Sequence, residues 1–371
     1  MTAYPVSRRR FLGQITAASA LALAPRLGHA LDQPVPARKL GVALVGLGNY
    51  SQYHLGPALR ITQFCRLTGV VTGDPAKGAA WAREYGFPAT SVYGYDTMAR
   101  MAANPDIDIV YVVTPNGLHA AHCIAAAKAG KHVICEKPMA NTVAECDAIL
   151  AACRTAGVRL TVGYRLHYEP HHAELARLAH DNVFGPFLRM KGGNGFRMGS
   201  PGGWRVNKKL AGGGPLMDMG VYLIQAVCMA KVEVAPVAVT AKFDPVTRPS
   251  LFAEVEESVR WTMEYADGAK AECHASYAEG ISRFRAEAAG GWAQLEEPAF
   301  YYDDPVLTTS RGKVNLPNVN HQVAQMDGMG AELLAGRPSI APGEMGRRDI
   351  AVVEAIYASA AKSGARVEVK V

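Results

Sequence analysis

From Lys39 to Gly163, short apolar runs alternate with stretches whose apolar residues recur at helical spacing. Gly41–Gly46, Cys65–Thr72, Ser91–Tyr93, Ile107–Val113, His132–Cys135 and Val158–Gly163 read as strands. Gln52–Thr62, Ala76–Tyr85, Asp96–Ala103, His119–Ala129 and Thr142–Thr155 read as the helices between them. The strands are continuously apolar rather than alternating, so both of their faces are buried. Strand and helix taking turns at this pace predict an α/β domain with a doubly wound parallel sheet.

After residue 164 the pattern changes. Phe187–Gly192 reads as a strand, Gly192–Gly214 as a Gly-rich polar segment, and Pro215–Met229 as a helix. From Val237 to Tyr277 polar and apolar residues alternate, and short strands continue through Ala293–Leu295. Asn320–Ala335 and Arg347–Ser363 read as helices. Alternation implies a sheet with one buried and one polar face, so the second domain is expected to be α+β with an open-faced, mainly antiparallel sheet. The expected divisions are 1–30, an arm 31–39, a first domain 40–163 and a second domain 164–371.

The first thirty residues fall outside this pattern. Ser7-Arg8-Arg9-Arg10-Phe11-Leu12 is a twin-arginine pattern, followed by an Ala-rich apolar run to Ala24 and small residues at Gly28-His29-Ala30. That reads as a cleaved export signal, and the expected location is the periplasm. Four basic residues and no acids lie there, leaving 35 basic against 33 acidic in the remainder. Such a balance asks for neither nucleic acid nor an anionic membrane. The seven cysteines form no metal spacing and read as buried thiols; no metal is expected.

The candidate chemistry follows the strand ends, where ligands of such sheets bind. Gly46, Gly48 and Ser51 are spaced as G-x-G-x-x-G with serine third, a turn that brings backbone and a helix N-terminus to a pyrophosphate. After the second strand come Thr72, Gly73 and Lys77. A hydroxyl and a cation suit a 2′-phosphate, which favours NADP, whereas Asp74 is what an NAD site would use on the ribose diol. Thr114-Pro115-Asn116 and His119 follow the next long strand, and Glu136-Lys137-Pro138 the one after. A lysine there can hydrogen-bond a substrate hydroxyl and favour its alkoxide. In Gly212–Tyr222, Asp218 and Tyr222 lie four apart, on one helix face, with Tyr222 a candidate acid/base for an alcohol.

Together, G-L-G-N-Y, T-P-N-x-x-H, C-E-K-P-M, G-Y-R-L-H-Y-x-P and W-R…L-A-G-G-G-x-L-M-D-M-G-x-Y, in this order, resemble the glucose–fructose oxidoreductase and inositol dehydrogenase (Gfo/Idh/MocA) family. The likeness is to its exported branch, which holds glucose–fructose and aldose–aldose oxidoreductases. The resemblance implies a Rossmann domain, tightly held NADP recycled in place, and catalysis by Lys137 and Tyr222 with Asp218 beside them. It implies a cis Lys137–Pro138 bond. It places the cofactor on Gly46, Leu47, Gly48, Asn49, Tyr50, Thr72, Gly73, Lys77, Tyr95, Pro115, Asn116, His119, Glu136, Lys137, Arg165, Trp204, Arg205 and Tyr302. It places the sugar on Lys137, Arg165, Asp218, Tyr222 and His321. The arm 31–39 is much shorter than that of glucose–fructose oxidoreductase, which points to a homodimer rather than a tetramer. The implied reaction oxidises an aldose at C1 to the aldonolactone and reduces a second aldose or ketose to the alditol. Two rivals share the fold: an exported NAD-dependent glycosidase, which a chromogenic glycoside would reveal, and a non-catalytic sugar-binding relative, against which intact Lys137 and Tyr222 speak.

Overall fold

A computed structural model describes residues 36–302 and 304–371. The expected export signal and residues 31–35 of the arm lie outside them. In the first domain the strands are β1 Leu40–Val45, β2 Cys65–Val71, β3 Val92–Tyr93, β4 Ile109–Val112, β5 His132–Cys135 and β6 Leu160–Val162. They form one parallel sheet in the order β3-β2-β1-β4-β5-β6. The order reverses between β1 and β4, and the crevice at that reversal is where a dinucleotide lies in such folds.

Several helices begin or wind differently from their sequence pattern. The segment after the glycine turn opens with a π-turn, Ser51–Leu55, before the α-helix Gly56–Ile61. Tyr95–Ala103 is 3₁₀ throughout. The helix expected from Arg347 starts a turn earlier, at Gly343, and runs to Ala361.

The second sheet comprises β7 Arg189–Gly195, β8 Ala238–Phe243, β9 Ser258–Glu264, β10 Lys270–Ser276, β11 Ile281–Ala288, β12 Gly291–Leu295, β13 Leu307–Thr309, β14 Gly312–Lys313 and β15 Val367–Glu368. Their order is β14-β13-β12-β11-β7-β10-β9-β8-β15, antiparallel except for β7 beside β10. The strand expected to end at Gly192 runs on to Gly195, so Gly193 and Gly195, expected in the irregular Gly-rich segment, are strand residues at the sheet's centre. A Cβ on Gly192 would lie 2.7 Å from Leu223, and one on Gly195 2.3 Å from the Ser276 carbonyl oxygen. These glycines therefore serve close packing.

One face of this sheet carries the helices Val221–Ala230 and Gly343–Ala361. All ten residues of Val221–Ala230 are buried. Burying a side chain such as Leu223 or Ile224 stabilises the fold by about 1.5–3 kcal/mol each. The other face is polar: Arg260, Lys270 and Glu272 are exposed where Trp261, Ala271 and Cys273 are buried. The helix His321–Leu334 belongs to the second half of the chain but packs Met326 and Met329 against the first domain's core. All seven cysteines are free and buried. Among the described residues, no helix is long and apolar enough to cross a membrane, and no cluster of His, Cys, Asp or Glu could hold a metal.

Candidate active site

The glycine turn combines strain and open space. Gly46 sits at φ +95°, and a Cβ there would stand 3.0 Å from the Thr114 methyl. A Cβ on Gly48 would meet nothing within 4 Å, so the space above it is free for a ligand. Ser51, in the third motif position, is fully buried, and its hydroxyl donates to the Gly46 carbonyl at 2.6 Å. The serine thus closes the turn. Leu47 is buried beneath it, Asn49 is exposed, and Tyr50 is partly buried beside His54. A dinucleotide phosphate fits this cradle. Gly48→Val is expected to lower dinucleotide affinity by about tenfold or more and to leave unfolding of the nucleotide-free protein unchanged. Titration calorimetry and a melting curve would check both.

At the tip of β2, Asp74 caps the helix Pro75–Tyr85: its carboxylate accepts from the Ala76 and Lys77 amides at 2.9 and 3.1 Å. Both bonds fall on Oδ1. Thr72 Oγ1 accepts from the Asp74 amide at 3.1 Å. The Lys77 ammonium reaches back to the Leu47 carbonyl. Tyr95 lies over Gly73, 3.6 Å from where its Cβ would be, and stacks on His122 at 4.9 Å. A hydroxyl, an ammonium and an aromatic face thus converge here.

The loop after β4 is built for support. Pro115 is partly exposed, while the Asn116 side chain is buried and donates to the Ala211 carbonyl across the domain boundary at 2.8 Å. His119 has both ring nitrogens on backbone carbonyls: Pro138 at 3.0 Å and Thr114 at 2.7 Å. Burial acts against its imidazolium, but Cys135 and the two carbonyls favour it, and the pKa rises to about 9. Its ring ties the β4 loop to the Lys137–Pro138 peptide, which is cis.

Lys137, Asp218 and Tyr222 meet at the centre. Lys137 Nζ donates to the Asp218 carbonyl at 2.8 Å and lies 3.3 Å from Asp218 Oδ1. It also stands 4.5 Å above the centroid of the Tyr222 ring. Burial lowers the lysine's pKa, Tyr222, Asp218 and Glu136 raise it, and the net shift is upward. The site therefore holds a full positive charge next to the phenol. Asp218 Oδ2 accepts from Arg205 Nε at 2.8 Å and from the Tyr277 hydroxyl at 2.9 Å. Burial would push this carboxyl up, but Lys137 and Arg205 beside it hold it well below the usual carboxylate range. Arg205 in turn stacks on Trp204 at 4.7 Å.

Asp218 and Tyr222 do not share one regular helix. Leu216–Gly220 is a π-turn, and the α-helix starts at Val221. The turn is anchored by Glu256, which accepts from the Gly214 and Leu216 amides and from the Tyr357 hydroxyl. The triple glycine exists for this packing: a Cβ on Gly213 would fall 1.8 Å from the Tyr357 oxygen, and one on Gly214 2.2 Å from the Glu256 carbonyl oxygen.

Arg165 closes the far side. It is 2% exposed, donates to the Phe300 and Tyr301 carbonyls, and has His321 Nδ1 as a third partner. Its guanidinium lies 5.1 Å from the Tyr222 ring centroid and 4.5 Å from that of Tyr302. Burial and then Arg165 push His321 down to about 3, so it is neutral and accepts from Arg165 through Nδ1. The Tyr302 ring meets His54 in a tilted contact, centroids 4.3 Å apart. Glu136 is buried and accepts from the Tyr111 hydroxyl at 2.6 Å and the Lys137 amide at 3.0 Å.

Two groups of sequence-selected residues therefore form: Gly46–Asn49, Thr72, Gly73, Lys77 and Tyr95 at one end, and Glu136, Lys137, Arg165, Arg205, Asp218, Tyr222, Tyr302 and His321 at the other, with Tyr50 joining them through its ring, stacked 6.2 Å from that of Tyr302. Sequence reasoning missed Tyr111, Glu256, Tyr277, Gln325 and Tyr357. Tyr277 directly follows β10 and was findable as the residue at the tip of an alternating strand; the others carry no local signal.

The comparisons with known proteins agree with this architecture. Residues 40–164 match the family described as "Oxidoreductase family, NAD-binding Rossmann fold", and residues 172–294 the "GFO/IDH/MocA C-terminal domain". The aldose–aldose oxidoreductase of Caulobacter crescentus, solved with glycerol, is 38% identical over 89% of this chain and 100% of that one, with a TM-score of 0.85. D-xylose 1-dehydrogenase [NADP(+)] of Haloarcula marismortui is 27% identical over 91% of this chain and 95% of its own length. A levoglucosan dehydrogenase solved with NADH and levoglucosan shares the fold at 22% identity and a TM-score of 0.76, covering 90% of this chain and 100% of its own. With both domains matched and the Lys137–Tyr222 centre between them, this chain belongs to the Gfo/Idh/MocA oxidoreductase family.

Proposed function

We propose that this protein is a periplasmic NADP-dependent aldose oxidoreductase that retains its cofactor and recycles it between two sugars. The observation that carries the reading is the Lys137 ammonium, paired with Asp218 and set 4.5 Å over the Tyr222 ring. Lys77 and Thr72 at the β2 tip, with Asp74 engaged as a helix cap, favour a 2′-phosphate over a bare diol. The Caulobacter crescentus relative suggests the aldose pair, and the Haloarcula marismortui relative suggests NADP. The twin-arginine pattern at Ser7–Leu12 suggests export of the folded, loaded protein, and the short arm suggests a homodimer.

NADP, when bound, would supply the hydride acceptor and donor. The chain supplies the rest. Tyr222 takes the C1 hydroxyl proton of an aldose, and the Lys137 charge favours the developing oxyanion. Asp218 holds Lys137 and Arg205 in register. The lactone leaves, the proton stays on Tyr222, and a second sugar's carbonyl oxygen receives it. The sum, two sugars giving one lactone and one alditol, releases no net proton before the lactone hydrolyses.

Acid denaturation of the purified protein is expected to release about one NADP(H) per chain, as sub-stoichiometric loss would break the cycle. One aldose supplied alone should give alditol and aldonate in equal amounts. Protein that carries no nucleotide and needs added NADP would overturn the recycling.

A further inference from the structure

We propose that Tyr111, backed by Gln325, is a positioning residue that holds Glu136 as the carboxylate which fixes the Lys137 backbone. The inference rests on the assignment of Lys137 to the reacting hydroxyl.

Tyr111 lies within β4, between β1 and β5, and is fully buried. Its neighbours in the strand are Ile109, Val110 and Val112, and packing alone would be met by phenylalanine. The hydroxyl is what the position adds. It donates to Glu136 Oε1 at 2.6 Å and accepts from Gln325 Nε2 at 2.7 Å. Glu136 Oε2 then accepts the Lys137 amide at 3.0 Å. The chain Gln325–Tyr111–Glu136–Lys137 is buried from Gln325 to Glu136. Gly163 leaves room for it: a Cβ there would lie 2.6 Å from Glu136 Oε1 and 3.0 Å from the Tyr111 oxygen. Gln325 sits one turn after His321, which meets Arg165, so a single helix indexes both walls of the site.

Burial pushes the Glu136 carboxyl up, and the Tyr111 hydroxyl and Lys137 act against that. The charged or titratable groups facing it are Tyr111 on β4, Lys137, His119 on the helix His119–Lys128, Tyr50 beside the glycine turn, and Tyr302. Tyr111→Phe removes the donor to the ionised form, so the native-state pKa of Glu136 rises further above its unfolded value. The variant's stability deficit is therefore small in acid, grows as pH rises through that native pKa, and levels off above it.

The test uses the full chain as purified: wild type, Tyr111→Phe, Glu136→Gln and the double variant, with Gln325→Leu as a second way to weaken the same chain. Urea unfolding at acid and neutral pH should show a Tyr111→Phe deficit that grows with pH and becomes pH-independent in the Glu136→Gln background. Gln325→Leu should move in the same direction. Turnover of Tyr111→Phe should fall about tenfold with sugar KM within about twofold, as expected for a displaced reacting group, and the acid limb of its pH profile should shift upward. A deficit equal at both pH values, with unchanged turnover, would reduce Tyr111 to a packing residue and overturn the proposal. If Tyr111→Phe does not fold, the Gln325→Leu profile decides on the same criterion. A wild type without sugar turnover would sink the proposed function, and the unfolding cycle would still decide the role of Tyr111.

Discussion

Tyr222→Phe is expected to fold, to keep its nucleotide, and to lose about 10²- to 10⁴-fold in turnover of both half-reactions. The reason is local. The ring keeps its place, since phenylalanine retains the faces on which Lys137 and Arg165 sit, and the helix Val221–Ala230 stays buried. Only the hydroxyl is lost, and with it the group that moves the sugar proton. Mixing the loaded variant with an aldose and following the near-ultraviolet absorbance of reduced nicotinamide reads the first half-reaction alone. Product analysis reads the second. Reduction at the wild-type rate would show that another group carries the proton.

Asp218→Ala should be more damaging to the fold. The carboxylate accepts from Arg205 and Tyr277 and sits beside Lys137, which is 12% exposed in its side chain. Removing one member of such a buried pair costs about 3–5 kcal/mol. The Arg205 share is smaller, because that side chain is 41% exposed and screened by solvent. Lys137 would then face Arg205 without a counter-ion. Because the Asp218 carboxyl is depressed in the fold, its contribution is complete above the ordinary aspartate range and is lost as pH falls through the folded-state value. The stability gap between wild type and variant should therefore be full at neutral pH and close progressively in strong acid. Urea unfolding across pH measures it. A gap that stays constant into strong acid would mean that the loss comes from packing alone.

Much of the fold was legible because burial on both faces and helical spacing leave direct marks on residue order. The six strands of the first sheet read to within two residues or so of their ends. The local chemistry was legible at the strand tips for the same reason: Gly46–Gly48, Thr72 and Glu136-Lys137 each follow an apolar run. Misreadings came where packing, rather than pattern, set the outcome. Gly193 and Gly195 looked irregular, yet Ile281 and the Ser276 carbonyl press so closely that only glycine fits at those two positions. The even spacing of Asp218 and Tyr222 concealed a π-turn, because the Glu256 carboxylate that anchors it arrives from the far side of the sequence. Nor does any motif record the Pro138 and Thr114 carbonyls that meet the two His119 nitrogens.

The residues alone determined the two-domain organisation, the parallel order of the first half, the alternation of the second, and the residue types available at each tip. Those properties follow from burial periodicity and turn chemistry, which are local along the chain. Only the tertiary structure decided which charges meet. It set Lys137 against Asp218 and over Tyr222, and gave Arg165 a neutral histidine as partner. It also ran a buried hydrogen-bond chain from Gln325 through Tyr111 to Glu136. Lys137 and Asp218, Arg165 and His321, and Tyr111 and Gln325 are 81 to 214 positions apart, and electrostatics acts through that space rather than along the sequence.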